Sequence, residues 1–216
     1  MTTLAIEGAL GSFSVAIARD DAILSQRCED GRQALELGLA LVASAMREAG
    51  LVAGDLERVA VGVGPGGFTG LRIALSYAKA LALAWRLPLV AVSSYDLLER
   101  DAAPPLLTVV HGRTGIVCAR YRTADSQATA CGAPRDVLGR LLRGAESLTL
   151  AGDAEDVREA LGERAIRVNV VPAPPVPAAA LALLAWRRAP ARSPHEVRPE
   201  YGELPAATLP RTRGAS

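Results

Sequence analysis

The chain has 216 residues, half of them hydrophobic and 22% charged, with 24 basic against 23 acidic side chains and a formal charge of +1. That balance excludes global disorder and advertises no tight, direct grip on a nucleic-acid backbone. Lys79 is the only lysine and alanine occurs 41 times, so much of the aliphatic content is small and packed elements are expected to lie close together.

Leu4 to Ile6 reads as a short apolar strand, followed by the turn Gly8-Ala9-Leu10-Gly11. Ser12 to Ala18 alternates as a second strand with Phe13, Val15 and Ile17 on one face, and Ala22 to Cys28 follows the Arg19-Asp20-Asp21 turn as a third. The three predict an antiparallel meander. Arg32 to Ala49 reads as a helix stopped by Gly50. Leu35, Leu39, Val42 and Met46 share one of its faces, and Leu37, Leu41 and Ala45 share another. A helix that is apolar nearly all round has more than one burial surface, so one face is expected to meet a partner.

Arg58 to Val63 predicts a strand and Thr69 to Arg86 a helix, with Thr69 as its N-cap. Ala74, Ala78 and Ala82 keep one stripe small, beside Leu75 and Leu83, while Arg72, Ser76, Lys79 and Arg86 form a basic stripe. Leu89 to Val92 is a buried strand, and Tyr95 to Arg100 begins a helix.

The second half is patterned more weakly. Leu106 to Val110 and Ile116 to Tyr121 read as strands joined by His111-Gly112-Arg113-Thr114-Gly115. Arg135 to Arg143, Leu148 to Ala151, Ala154 to Leu161 and Ile166 to Val170 then predict helix, strand, helix, strand. The proline-rich 171–177 segment is a loop, Ala178 to Arg188 a helix, and the five-proline tail extended. The expected organisation is a first α/β lobe over 1–100, a smaller one over 101–190, and a tail over 191–216. Cys28, Cys118 and Cys131 form no zinc pattern and are expected to pack as small hydrophobes. Two histidines are too few for a His-based metal site. No leader pattern and no uninterrupted apolar span is apparent, which predicts a soluble cytoplasmic protein.

Gly62-Val63-Gly64-Pro65-Gly66-Gly67 satisfies G-x-G-x-x-G between a strand and a helix. A dinucleotide site is opposed by the preceding meander, by Pro65, which removes a backbone donor, and by the lack of an acid about 20 residues onward. Two readings remain: a tight turn that needs glycine for backbone reasons, or amides and a helix N-terminus facing an anion or a partner.

The run Gly62-Val63-Gly64-Pro65-Gly66-Gly67-Phe68-Thr69-Gly70-Leu71-Arg72-Ile73 resembles the GxGPGSFTGxRI signature of the TsaB (YeaZ) family. Leu4-Ala5-Ile6-Glu7, Ser14-Val15-Ala16-Ile17, Pro88 to Ser94 and Pro199-Glu200-Tyr201 resemble further segments of that family. The resemblance implies an α/β, two-lobed actin/Hsp70/sugar-kinase-like (ASKHA) fold with a reduced second lobe. It also implies a non-catalytic subunit, homodimeric when alone, that pairs with a TsaD-type threonylcarbamoyltransferase. A TsaE-type ATPase joins that complex, and tRNA is met only through it, for N6-threonylcarbamoylation of adenosine 37 in tRNAs decoding ANN codons.

The residues point the same way. The first long helix carries no histidine pair for a metal, so no catalytic residue, metal or cofactor is expected. Glu7 stands where the family has Asp and is expected as a solvated strand-end carboxylate. Gly11, Ser12, Gly66, Gly67 and Arg113 would line a vestigial nucleotide cleft with it; only Arg113 matches the family's Asp-Ala-Arg at that place. The expected partner surface is Leu35, Leu39, Val42 and Met46 on the first helix, with Phe68, Thr69, Arg72, Leu75 and Lys79 on the second. The alternative is a stand-alone kinase or hydrolase of the same fold.

Overall fold

The computed structural model describes residues 1–30, 37–100, 102–152 and 155–202. Thr2–Glu7 (β1), Phe13–Arg19 (β2) and Ala22–Glu29 (β3) form the expected antiparallel meander, and Arg58–Gly62 (β4) and Leu89–Val92 (β5) extend it in parallel. The sheet order is β3-β2-β1-β4-β5. Leu106–His111 (β6), Val117–Arg122 (β7), Gln127–Gly132 (β8), Ser147–Ala151 (β9) and Arg167–Val171 (β10) make a second sheet, ordered β10-β9-β6-β7-β8. Matched from β1 and from β6, the two sheets have the same topology. The weak second half therefore builds a second copy of the first lobe's plan.

Gly38–Ala49 (α1) and Phe68–Trp85 (α2) cover one face of the first sheet. Leu4, Ile6, Phe13, Val15 and Ile17 supply the sheet side of that core, as the period-two pattern requires. Gly50 ends α1 in the left-handed conformation, as expected of a helix-terminating glycine. Pro134–Leu141 (α4) and Glu155–Gly162 (α5) cover the second sheet through Val137, Leu138, Val157 and Leu161.

Ser94–Glu99 (α3) contacts β6 of the second sheet, and Pro177–Ala185 (α6) packs beside α3. The sequence reading assigns α6 to the second lobe, but it packs on the first sheet. Ala178, Leu181, Ala182 and Ala185 meet Ala5, Ala16, Ala18, Ala60 and Val90. Small residues on both sides allow a close helix–sheet approach. The buried Ser14 hydroxyl accepts the Ala178 amide at 3.0 Å, and the Arg58 guanidinium donates to the Ala185 and Arg188 carbonyls at 2.8 and 3.1 Å. The first lobe thus supplies a partner to one free backbone group at each end of α6.

The strand β8 is absent from the sequence reading. Its residues Gln127 to Thr129 are exposed at a sheet edge, so no apolar alternation marks it. Cys118 and Cys131 pack in a hydrophobic cluster, as expected of small hydrophobes, but they sit directly opposite each other on β7 and β8 and form a disulfide, which the sequence did not announce; Cys28 is free. Among the described residues, no helix is long and apolar enough to cross a membrane.

Candidate functional site

The glycine turn runs from the end of β4 to the start of α2, and part of its backbone is engaged by neighbouring segments. Gly67 N–H donates to the Ala9 carbonyl at 2.7 Å, and the Gly64 carbonyl accepts from Ser94 N at 2.7 Å. A Cβ on Gly66 would collide with the Ala9 carbonyl, and one on Gly70 with the Gly8 carbonyl. The glycines serve contact between the turn and the 8–11 segment, which favours the backbone reading of the motif over a phosphate cradle. The cap position of α2 is Gly67, with no side-chain cap, so Thr69 lies inside the first turn rather than capping it. Gly70→Ala is expected to cost about 2 kcal/mol of stability by overpacking against a backbone that cannot yield, measurable by urea unfolding.

Glu7 is not solvated. It is fully buried at the end of β1 and accepts from the Ala9 and Leu10 amides at 2.7 and 3.3 Å. Burial pushes its pKa up to about 7, against the opposing pull of the Ala9, Leu10 and Gly8 amides. Its role is to hold the 8–11 turn on which the glycine turn rests.

Pro199-Glu200-Tyr201 straps this assembly from the C-terminal side. Glu200 N–H donates to the Val63 carbonyl at 2.7 Å. The Tyr201 ring lies 5.2 Å from that of Phe68, Arg72 Nε donates to the Tyr201 hydroxyl at 2.9 Å, and the Arg72 guanidinium sits 4.4 Å above Phe68. Phe68, Arg72 and Tyr201 thus form one aromatic–cationic cluster at the start of α2.

Of the other residues expected at a partner surface, Leu39 is exposed and Lys79 half-buried. Val42, Met46 and Leu75 are corrected: they are buried in the first-lobe core, because the sheet takes that side of both helices. Ala74, Ala78 and Ala82 are likewise internal, their small size serving helix–sheet contact. Leu35 lies outside the described residues. Leu37, Leu39, Phe68 and Leu83 are 45–51% exposed on the outer sides of α1 and α2.

A cleft of about 1020 Å³ opens between the lobes. Gly11, Ser12 and Gly67 line it, whereas Gly66 and Arg113 are not among its lining residues and Glu7 is buried beneath its wall. His111 closes one side. Among its described lining residues, Asp30, Glu155, Asp156 and Glu159 supply four carboxylates against Arg158. That excess of negative charge disfavours a polyphosphate. Among the described residues, no three His, Cys, Asp or Glu side chains are grouped to hold a metal ion.

Sequence reasoning missed the interlobe ion network. Arg120 on β7 binds Asp96 and Glu99 of α3, Arg188 reaches Asp96 at 2.7 Å, and Arg122 Nε lies 2.8 Å from Glu99. No local spacing marks this network, because its members come from α3, β7 and the segment after α6.

The family model described as TsaD, tRNA N6-adenosine threonylcarbamoyltransferase, matches residues 31–168, more than half of the chain. The chain belongs to the TsaD family. Within it, the likeness is to the TsaB (YeaZ) type. An uncharacterized protein of Mycobacterium tuberculosis is 35% identical over 124 residues, covering 56% of this chain and 59% of that protein. Escherichia coli TsaB, a tRNA threonylcarbamoyladenosine biosynthesis protein, is 31% identical over 122 residues, covering 54% and 53%. The chain thus spans little more than half the length of these curated relatives. YeaZ from Pseudomonas aeruginosa superposes with a TM-score of 0.71 at 24% identity, over 93% of this chain and 99% of that one. The fold is the two-lobed actin/Hsp70/sugar-kinase-like one, with two mixed sheets and helices.

Proposed function

We propose that this chain is a non-catalytic, cytoplasmic partner subunit of a TsaD-type threonylcarbamoyltransferase, homodimeric when alone. In the larger complex a TsaE-type ATPase joins, and the product is N6-threonylcarbamoyladenosine 37 in tRNAs decoding ANN codons. The observation that carries the reading is the outer side of α1 and α2. Leu37 and Leu39 stand exposed at the start of α1, Leu83 near the end of α2, and Phe68 at the start of α2, where it joins Arg72 and Tyr201 in one cluster. Aromatic and arginine anchors among apolar neighbours are the composition of a protein-binding surface. The naming of relatives as tRNA threonylcarbamoyladenosine biosynthesis proteins and the TsaD family match support a TsaD-type partner.

The alternative, a stand-alone kinase or hydrolase, has the interlobe cleft in its favour. The four carboxylates among the cleft's described lining residues and the close packing of the glycine turn on the 8–11 segment oppose it. Leu39→Glu separates the readings. Leu39 is half exposed, so the variant folds, but a charge buried and unpaired in a contact costs several kcal/mol. The expected result is an unchanged circular dichroism spectrum, monomeric elution, and at least a hundredfold weaker capture of the TsaD-type subunit. Undiminished capture by the folded variant overturns the proposed surface. ATP turnover by the isolated chain overturns the non-catalytic reading.

A further inference from the structure

We propose that the Cys118–Cys131 disulfide is a thiol-exchange site whose cleavage by a dithiol releases the 199–202 strap from the glycine turn. The inference stands apart from the choice of partner. Three observations carry it.

The disulfide lies where the second lobe touches the turn and the strap. Gly202 is so close that a Cβ built on it would lie 2.6 Å from Cys118 Sγ and 3.1 Å from both Cys131 Sγ and Pro65 Cβ. Its φ of +67° is one that glycine adopts without strain. The strap therefore turns directly over the bonded sulfurs. Two thiols need more room than one disulfide, since the sulfurs separate to nonbonded contact and each gains a hydrogen. The yielding neighbours on that side are Gly202 and Pro65.

The two sulfurs differ in access. Cys118 is 1% exposed, whereas Cys131 is half-buried and lines a groove of about 310 Å³ with Pro65, Tyr95, Thr129, Glu200 and Gly202. A thiolate entering the groove reaches Cys131 first.

Among the described residues, the strap's other anchors are the backbone hydrogen bond from Glu200 to Val63, the packing of the Glu200 carbonyl on Gly64, and the Tyr201 contacts with Phe68 and Arg72. Local release of so short a segment needs only these contacts to open.

The chemistry balances without a cofactor. One sulfur of the dithiol, as thiolate, bonds to Cys131 Sγ, and Cys118 leaves as thiolate and takes up a proton. The second sulfur of the reductant then attacks the first and forms its own disulfide, expelling Cys131, which is protonated in turn. Two electrons pass from the dithiol to the protein disulfide. Glu200 at the groove favours a dithiol with no charge besides its attacking thiolate over a thiol that also carries carboxylates.

The test is hydrogen–deuterium exchange on the full chain before and after dithiothreitol, with alkylation counting the thiols. The expected count rises from one, Cys28, to three. Amide exchange at Glu200 and Tyr201 is expected to rise at least tenfold, with the β1, β4 and β6 amides unchanged. Cys131→Ser should show the fast strap exchange without reductant and no response to it. Complete reduction with an unchanged strap overturns the proposal. So does loss of protection throughout the second lobe, which would make the bond a general staple, or a count of three thiols before reductant.

Discussion

Replacing Glu7 by glutamine is expected to raise stability by about 3 kcal/mol at pH 8 and to leave it nearly unchanged at pH 4.5. Burial moves the Glu7 carboxyl from an ordinary 4.5 up to about 7. The folded chain therefore holds this proton more tightly than the unfolded chain does. Stability falls as pH rises from about 4.5 through 7, and the full penalty is present above that window. A displacement of this size corresponds to about 3 kcal/mol at 1.36 kcal/mol per pKa unit. Glutamine stands in for the protonated acid. Its carbonyl oxygen can still accept the Ala9 amide, the shorter of the two contacts at 2.7 Å, while its NH₂ faces the longer contact with Leu10. Urea unfolding of both proteins at the two pH values checks the expectation. Equal differences at both would show that the carboxylate carries no buried penalty. A natural glutamate kept at this cost argues for its part in holding the 8–11 turn beneath the glycine turn.

The first lobe was legible because its strands alternate and its helix breakers are strong. Phe13, Val15 and Ile17 announce a face, and Gly50 a helix end, each from a few neighbouring residues. What was illegible depends on distant partners. The direction of Val42, Met46 and Leu75 follows from which side the sheet approaches, and two apolar faces of one helix do not reveal that. The strand β8 owes its place to pairing with β7, because Gln127 to Thr129 carry no buried side chain of their own. The helix α6 is apolar all round, and its lobe is settled by the alanines of β1, β2 and β4, more than a hundred residues earlier. At the candidate site the glycine turn and the Pro199-Glu200-Tyr201 segment were visible as separate motifs. That the second straps the first, and that Glu7 is buried rather than solvated, required the packed chain. The disulfide was hidden for the same reason: Cys118 and Cys131 become neighbours only through the β7–β8 register.

Removing Arg120 is the other substitution with a large expected effect. Its side chain is 11% exposed, and its guanidinium lies 5.0 Å from the Tyr95 ring centre, held between Asp96 and Glu99. Burial works against the Arg120 charge, but Glu99 and Asp96 outweigh it and hold the pKa above the ordinary value. Glu99 is nearly inaccessible, and its other partners are Thr108 and Arg122. In Arg120→Ala that carboxylate stays buried with less compensation, and a cavity opens against Tyr95. Breaking a buried pair from one side costs roughly 3–5 kcal/mol; Arg122 remains near Glu99 and Arg188 near Asp96, so the lower end, about 3 kcal/mol, is expected. The acid limb carries a second signature. Burial raises the Asp96 pKa, but Arg120 and Arg188 outweigh it and hold it below the ordinary 3.8. The stability this supplies is present above that ordinary value and is lost as pH falls through the lowered one. Without Arg120 the Asp96 pKa rises, and part of that contribution disappears at every pH above the window. Acid unfolding should therefore begin at a higher pH in Arg120→Ala, whereas Arg120→Lys should recover part of the neutral-pH loss but not the two-carboxylate grip of the guanidinium. Because Arg120 joins β7 to α3 and Arg188 joins α3 to the segment after α6, the loss should appear first as opening between the lobes. Hydrogen exchange at α3 is expected to rise before exchange at β1 or β4; simultaneous loss at all three would show that the network stabilises the chain only as a whole.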